Sequence, residues 1–170
     1  MQVAAVPGYK LSRSKRSTRV LTTLGLIGIL LGLLSAASLT VAKTGLTPTS
    51  VKGYYLGAVD GAGGLEGMLS ATTRRPFSEL AEVTHLHLTG GSLLLFLLCH
   101  LLSVCEVSER VRTVLYIVSF TGFLLTFGLP WGIVYLHPGF SWLFGPSIIT
   151  FITSLIVLSA IPLWEMWWRR

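Results

Sequence analysis

Charge is scarce in this sequence. Asp, Glu, Lys and Arg make up only 12% of its 170 residues, about half the share usual in soluble domains. Mean hydropathy is +0.72, and a chain so poor in charge cannot clothe a water-soluble globule of this size. Cysteine is nearly absent: Cys99 and Cys105 stand six residues apart near the end of one apolar run. On a helix that spacing is a rise of about 9 Å, beyond the Cα separation a disulfide tolerates, so both read as buried thiols. Also missing are a G-x-S-x-G elbow, a Walker loop, an H-E-x-x-H pair and a C-x-x-C-H haem attachment, which leaves hydrolase, nucleotide-dependent and c-type haem chemistry without support.

Bases outnumber acids, 13 to 7, for a net charge of +6. The bases do not interleave with aromatics, as a nucleic-acid groove requires. They flank apolar runs instead, so the charge reports topology and attraction to anionic lipid, with no nucleic acid as partner.

Those runs define an all-α, polytopic membrane protein: a single domain, 1–170, with four transmembrane helices. Residues 1–19 form a basic tail, and the first span covers 20–42. That run is too long for a signal-peptide core and is read as a retained helix. A glycine-rich outer loop covers 43–82, and the second span 83–105. No formal charge then separates Arg112 from Glu165, about 78 Å if helical, so two further spans, 113–136 and 143–164, must reverse at His137-Pro138-Gly139-Phe140. Trp131, Tyr135 and Trp142 suit one aromatic belt, and Trp164, Trp167 and Trp168 with Arg169 and Arg170 the other. Nine of the 13 bases fall in the tail, the 106–112 loop and the C-terminus, four in the outer loop. That bias places both termini in the cytoplasm.

Inside the outer loop, Thr47-Pro48 predicts an N-cap and first helical residue, hence a short surface helix through Tyr54 and Tyr55. Ser78 predicts a second N-cap with Glu79 just inside it. Pro130 with Gly128 and Gly132 predicts a kink in the third span, and Gly90 and Gly91 predict close helix approach.

All four histidines, His85, His87, His100 and His137, lie in or beside spans, where an ionisable group costs a few kcal/mol and by default suggests a ligand, a proton path or an interhelical bond. Antiparallel packing is expected to bring His85 or His87 to His137 at the outer rim, a pair that could hold one b-type haem. His100 follows His85 by 15 positions, about 22 Å deeper and roughly 60° around the helix, the separation of paired haem ligands. A full second pair would need ligands from another chain. Glu82, His85 and His137 form an alternative zinc or copper set. Glu82 with His85 is a lone E-x-x-H, short of the two such motifs a di-iron bundle uses. His100 and Glu165, both expected near the cytoplasmic face, could form an ion pair or proton path.

Four stretches carry a resemblance: Gly45-Leu46-Thr47-Pro48 through Tyr54-Tyr55-Leu56-Gly57; Glu82-Val83-Thr84-His85-Leu86-His87; Leu98-Cys99-His100-Leu101; and Trp164-Glu165-Met166-Trp167. Over about residues 45–168 the chain resembles a family of small, uncharacterised bacterial four-helix membrane proteins with a Glu-Val-Thr-His-x-His motif. The resemblance implies the fold, the bacterial inner membrane, and a recurring pattern of His85, His87, His100 and Glu165; His137 is not part of it. It implies no activity.

The functional expectation is therefore a membrane redox component, a haem b or metal-binding subunit in electron transport. The alternatives are a cofactor-free accessory subunit of a larger membrane complex and a proton conductor. Expected partners are membrane lipid and other membrane subunits or a second copy.

Overall fold

The computed structural model describes residue 11 and residues 14–57 and 74–168. Residues 58–73 of the expected glycine-rich loop, the start of the basic tail and the last two arginines lie outside the described residues. Helix α1 covers Arg16–Lys43, α2 Pro48–Leu56, α3 Phe77–Ser103, α4 Glu109–Trp131 and α5 Ser141–Trp167. No strand occurs among the described residues. Four helices are long and apolar enough to cross a membrane, so the all-α, multi-pass reading holds.

Local chemistry accounts for the element ends. Thr47 caps α2, its hydroxyl accepting from Ser50 N at 3.2 Å, with Pro48 at the first helical position. Gly57 ends α2 at φ +89° and Gly45 leaves α1 at φ +69°, a backbone that a residue with a Cβ adopts only under strain. Ser78 is not the cap expected of it. Helix α3 starts two residues earlier, with Pro76 in the cap position and no side-chain cap bond, because proline supplies extended backbone without a competing N–H. Glu79 is in the first turn, as expected, and pairs with Arg75.

The expected kink takes a specific form. Beyond Pro130, α4 widens into a π-turn, Gly132–Leu136, closed by His137 N donating to Gly132 O at 2.9 Å. Pro138 lacks the N–H that the Val134 carbonyl would otherwise accept. Arg74 donates to that carbonyl instead.

Helix α5 is central, touching α4, α3, α2 and α1. Small residues, all buried, lie where it meets α4: Ser119, Gly122 and Thr126 on one side and Ser147 and Ser154 on the other. A Cβ added at Gly122 would lie 3.1 Å from Phe151 N. Small side chains let backbones approach closely in lipid, where dispersion rather than the hydrophobic effect holds helices together. The hydroxyls of Ser119, Thr126, Ser147 and Ser154 bond back to carbonyls of their own helices, so these four enter the core satisfied, whereas the buried Ser141 and Ser159 hydroxyls of α5 have no hydrogen-bond partner among the described residues.

One apolar cluster, centred on Phe123, Leu95, Leu98, Leu102, Leu155 and Leu158, fills the middle and the end nearer the termini. A second, of Val51, Leu129, Ile133, Phe144 and Ile148, lies at the π-turn end. Val51 and Tyr55, one turn apart, carry α2 into this second cluster, and the Tyr55 ring meets Phe144 edge-on at 5.7 Å. The short helix is thus packed into the bundle rather than laid on a surface, and burial pushes the Tyr55 phenol well above its ordinary range. Helix α1 is peripheral: Leu26 is its one buried residue.

Candidate functional site

The axial register of α3 against α4 decides which histidines can meet. Trp131 Nε1 donates to Thr84 Oγ1 at 2.8 Å, the His87 ring stacks on Phe127 at 4.5 Å, and Tyr116 Oη donates to Cys99 O at 2.9 Å. His85 is therefore level with the Trp131 region, and His137 lies six residues farther out, about 9 Å along the axis. The expected pairing of His137 with His85 or His87 at one depth is not what this register sets up. It presumed that His85 stands at the helix start, whereas α3 extends outward as far as Phe77.

On α3 the buried positions are apolar, Leu80, Leu95, Leu98, Cys99 and Leu102, and no ionisable carboxyl or imidazole is among them. Glu82, His85, His87 and His100 are all exposed, as is His137. Neither His85 nor His87 turns to the bundle centre. Among the described residues no three His, Cys, Asp or Glu side chains gather where they could hold an ion, so Glu82, His85 and His137 are not assembled into a metal set.

Two imidazoles differ in a way that matters chemically. His87 Nδ1 lies 2.7 Å from the Val83 carbonyl. A carbonyl only accepts, so Nδ1 carries the proton and, in the neutral ring, Nε2 keeps a lone pair. This is the arrangement of a metal-ligating histidine, its second nitrogen held by a backbone carbonyl. His137 is the reverse: its Nδ1 accepts from Gly139 N at 2.9 Å, capping the 3₁₀ turn Pro138–Phe140. Its proton is then on Nε2, which leaves no free lone pair.

His100 is stacked on Phe96 at the exposed face, while Glu165 is 2% exposed and turned inward. The two do not pair. Glu165 Oε2 instead accepts from Glu106 N at 2.6 Å, and its Oε1 is buried without a hydrogen bond. Arg112 Nη2 donates to the Cys105 and Val107 carbonyls at 3.2 Å each. Together they clasp the α3–α4 loop. Spacing alone could not show this clasp, although a lone acid in a stretch otherwise free of formal charge from Thr113 to Trp168 was its one sign.

Cys105 sits within the clasp, 4% exposed. Burial first, and then the Glu165 carboxylate, push its thiol up to about 12. Maleimide should therefore label Cys105 negligibly at neutral pH in the folded protein and readily after unfolding in SDS. Between its ordinary value of 9.0 and about 12, the unfolded thiol ionises while the folded one keeps its proton. Stability contributed by this group is thus full below pH 9 and declines as pH rises through that window. Ready labelling of the folded protein at pH 7 would contradict this burial.

Residues 45–170 match a family model described as a transmembrane helical domain. No curated protein and no solved structure matches the chain.

Proposed function

The chain belongs to the Aq_1264_TM family of transmembrane helical domains, and from that premise we propose that it is a subunit of a redox assembly in the bacterial inner membrane, with both termini cytoplasmic. In this reading His87 is an axial ligand of a b-type haem, or of a metal ion, whose opposite ligand comes from another membrane chain. The observation that carries it is the His87 ring itself, exposed as a residue, with Nδ1–H fixed on the Val83 carbonyl so that the neutral ring keeps its lone pair on Nε2. An imidazole so placed at membrane depth is costly unless something covers it. His85 and His100 share the exposed face of α3 and are the further candidates. His137 has the wrong proton disposition.

Absorbance of the protein purified from membranes in mild detergent tests this. The reduced protein should show the sharp α-band of a b-type haem, and for a metal ion, elemental analysis should find it bound. Either signal should be lost in His87→Ala and retained in His137→Ala. A featureless spectrum with clean metal analysis, or a signal indifferent to His87, removes the proposal.

One observation favours a second reading, a cofactor-free accessory subunit. His87 and His137 both bond backbone locally, and His87 and His100 both stack on phenylalanine, so interhelical and capping roles use these rings without any ligand.

A further inference from the structure

The π-turn leaves a groove. Phe77, Leu125, Gly128, Trp131, Tyr135 and Phe140 are among the residues that line an apolar channel of about 570 Å³, open along one side. It exists because Gly128 and Gly132 provide no side chain on its floor; a Cβ at Gly128 would meet nothing within 4 Å. Its lining runs from Leu124 to Leu136 on the α4 side, about 18 Å at the helical rise. That is close to one leaflet, half of the ~30 Å hydrocarbon core.

At the groove's end the Arg74 guanidinium lies 5.2 Å over the ring of Tyr135, one of the lining residues. Its Nη2 serves the Val134 carbonyl. The neighbouring carboxylate, Glu79, is paired with Arg75, so among the described residues no carboxylate pairs with Arg74. Aromatic rings and a basic side chain at this depth are where lipid headgroups sit.

We propose that this groove holds one acyl chain of an anionic phospholipid, with the headgroup phosphate at Arg74. The length of the channel fits a chain confined to one leaflet, the glycine floor fits a methylene chain rather than a ring system, and the Arg74 charge, paired with no carboxylate among the described residues, selects an anionic head. A rare π-turn beside the groove accords with the use of such turns at functional sites.

The test uses the full chain in nanodiscs and quenching of tryptophan fluorescence by dibrominated phosphatidylglycerol or dibrominated phosphatidylcholine. The component that disappears in Trp131→Phe isolates the groove from the other four tryptophans. Half-quenching of this component is expected at a mole fraction about fivefold lower for phosphatidylglycerol, the preference one basic side chain confers at a membrane surface. Gly128→Leu should abolish that preference by filling the channel. Leu124→Trp, at a position 58% exposed, offers a second obstruction should Gly128→Leu fail to fold, read then by native mass spectrometry of retained phosphatidylglycerol. Equal quenching by the two lipids, unchanged selectivity or retention in the filled variants, or a copurified isoprenoid quinone in place of phospholipid would each overturn the proposal.

Discussion

Replacing Phe123 by alanine should destabilise the bundle by about 3 kcal/mol, the low end of the range for a buried phenylalanine. Phe123 is 1% exposed and contacts Phe127 at 5.3 Å and Phe151 at 5.4 Å between ring centroids. On its other side α3 yields room: a Cβ at Gly91 would sit 2.5 Å from Phe123 Cε2. The low end applies because lipid is as apolar as the core, so the loss is chiefly dispersion and cavity rather than transfer from water. Gly91→Ala should cost about 1–2 kcal/mol by overpacking the same ring. Because the two changes act on one contact, the double variant with Phe123→Leu should be more stable than the sum of the singles predicts. SDS titration in mixed micelles, followed by far-UV circular dichroism, measures all three. Additive costs, or a Phe123→Ala penalty below about 1 kcal/mol, would show that this ring does not join α3 to α4 and α5.

Glu165→Leu should cost about 2 kcal/mol, because it removes the ionised acceptor of the Glu106 N–H, a hydrogen bond to a charged group. The clasp, and not merely global stability, is read at Cys105: maleimide should now label it in the folded protein. Glu165→Gln keeps an acceptor for Glu106 N and should cost less than half as much, with Cys105 still protected. If leucine and glutamine behave alike, the hydrogen bond at 2.6 Å contributes nothing and Glu165 only fills space. An increase in stability with leucine would mean that the cost of burying Oε1, which has no hydrogen bond, outweighs the clasp.

What could be read without coordinates follows from forces acting along the chain. Spans are legible because a charge inside lipid is costly at every position, so the uncharged runs 20–42, 83–105 and 113–164 mark out the helices one after another. The α2 cap at Thr47-Pro48 and the reversal at His137-Pro138-Gly139 are legible for a similar reason, since each depends on backbone chemistry within four residues. The family match over residues 45–170 covers nearly the same residues as the resemblance and shows a family of transmembrane helical domains.

The histidines mark where such reasoning stops. Composition identified imidazoles at membrane depth, but which nitrogen carries the proton depends on the acceptor beside it. His87 has the Val83 carbonyl within reach and His137 the Gly139 N–H, and these give opposite tautomers to the same side chain. Axial register was equally hidden. It is set by Trp131 on Thr84 and Phe127 on His87, contacts between residues more than 35 positions apart, and it separates His137 from the depth of His85. The inward turn of Glu165 and the packing of α2 also depend on neighbours from distant parts of the chain. The sequence by itself thus determined how many helices are long and apolar enough to cross a bilayer, because lipid acts on each residue separately. Only the tertiary structure decided which faces of those helices meet and which nitrogens remain open, because both are properties of pairs.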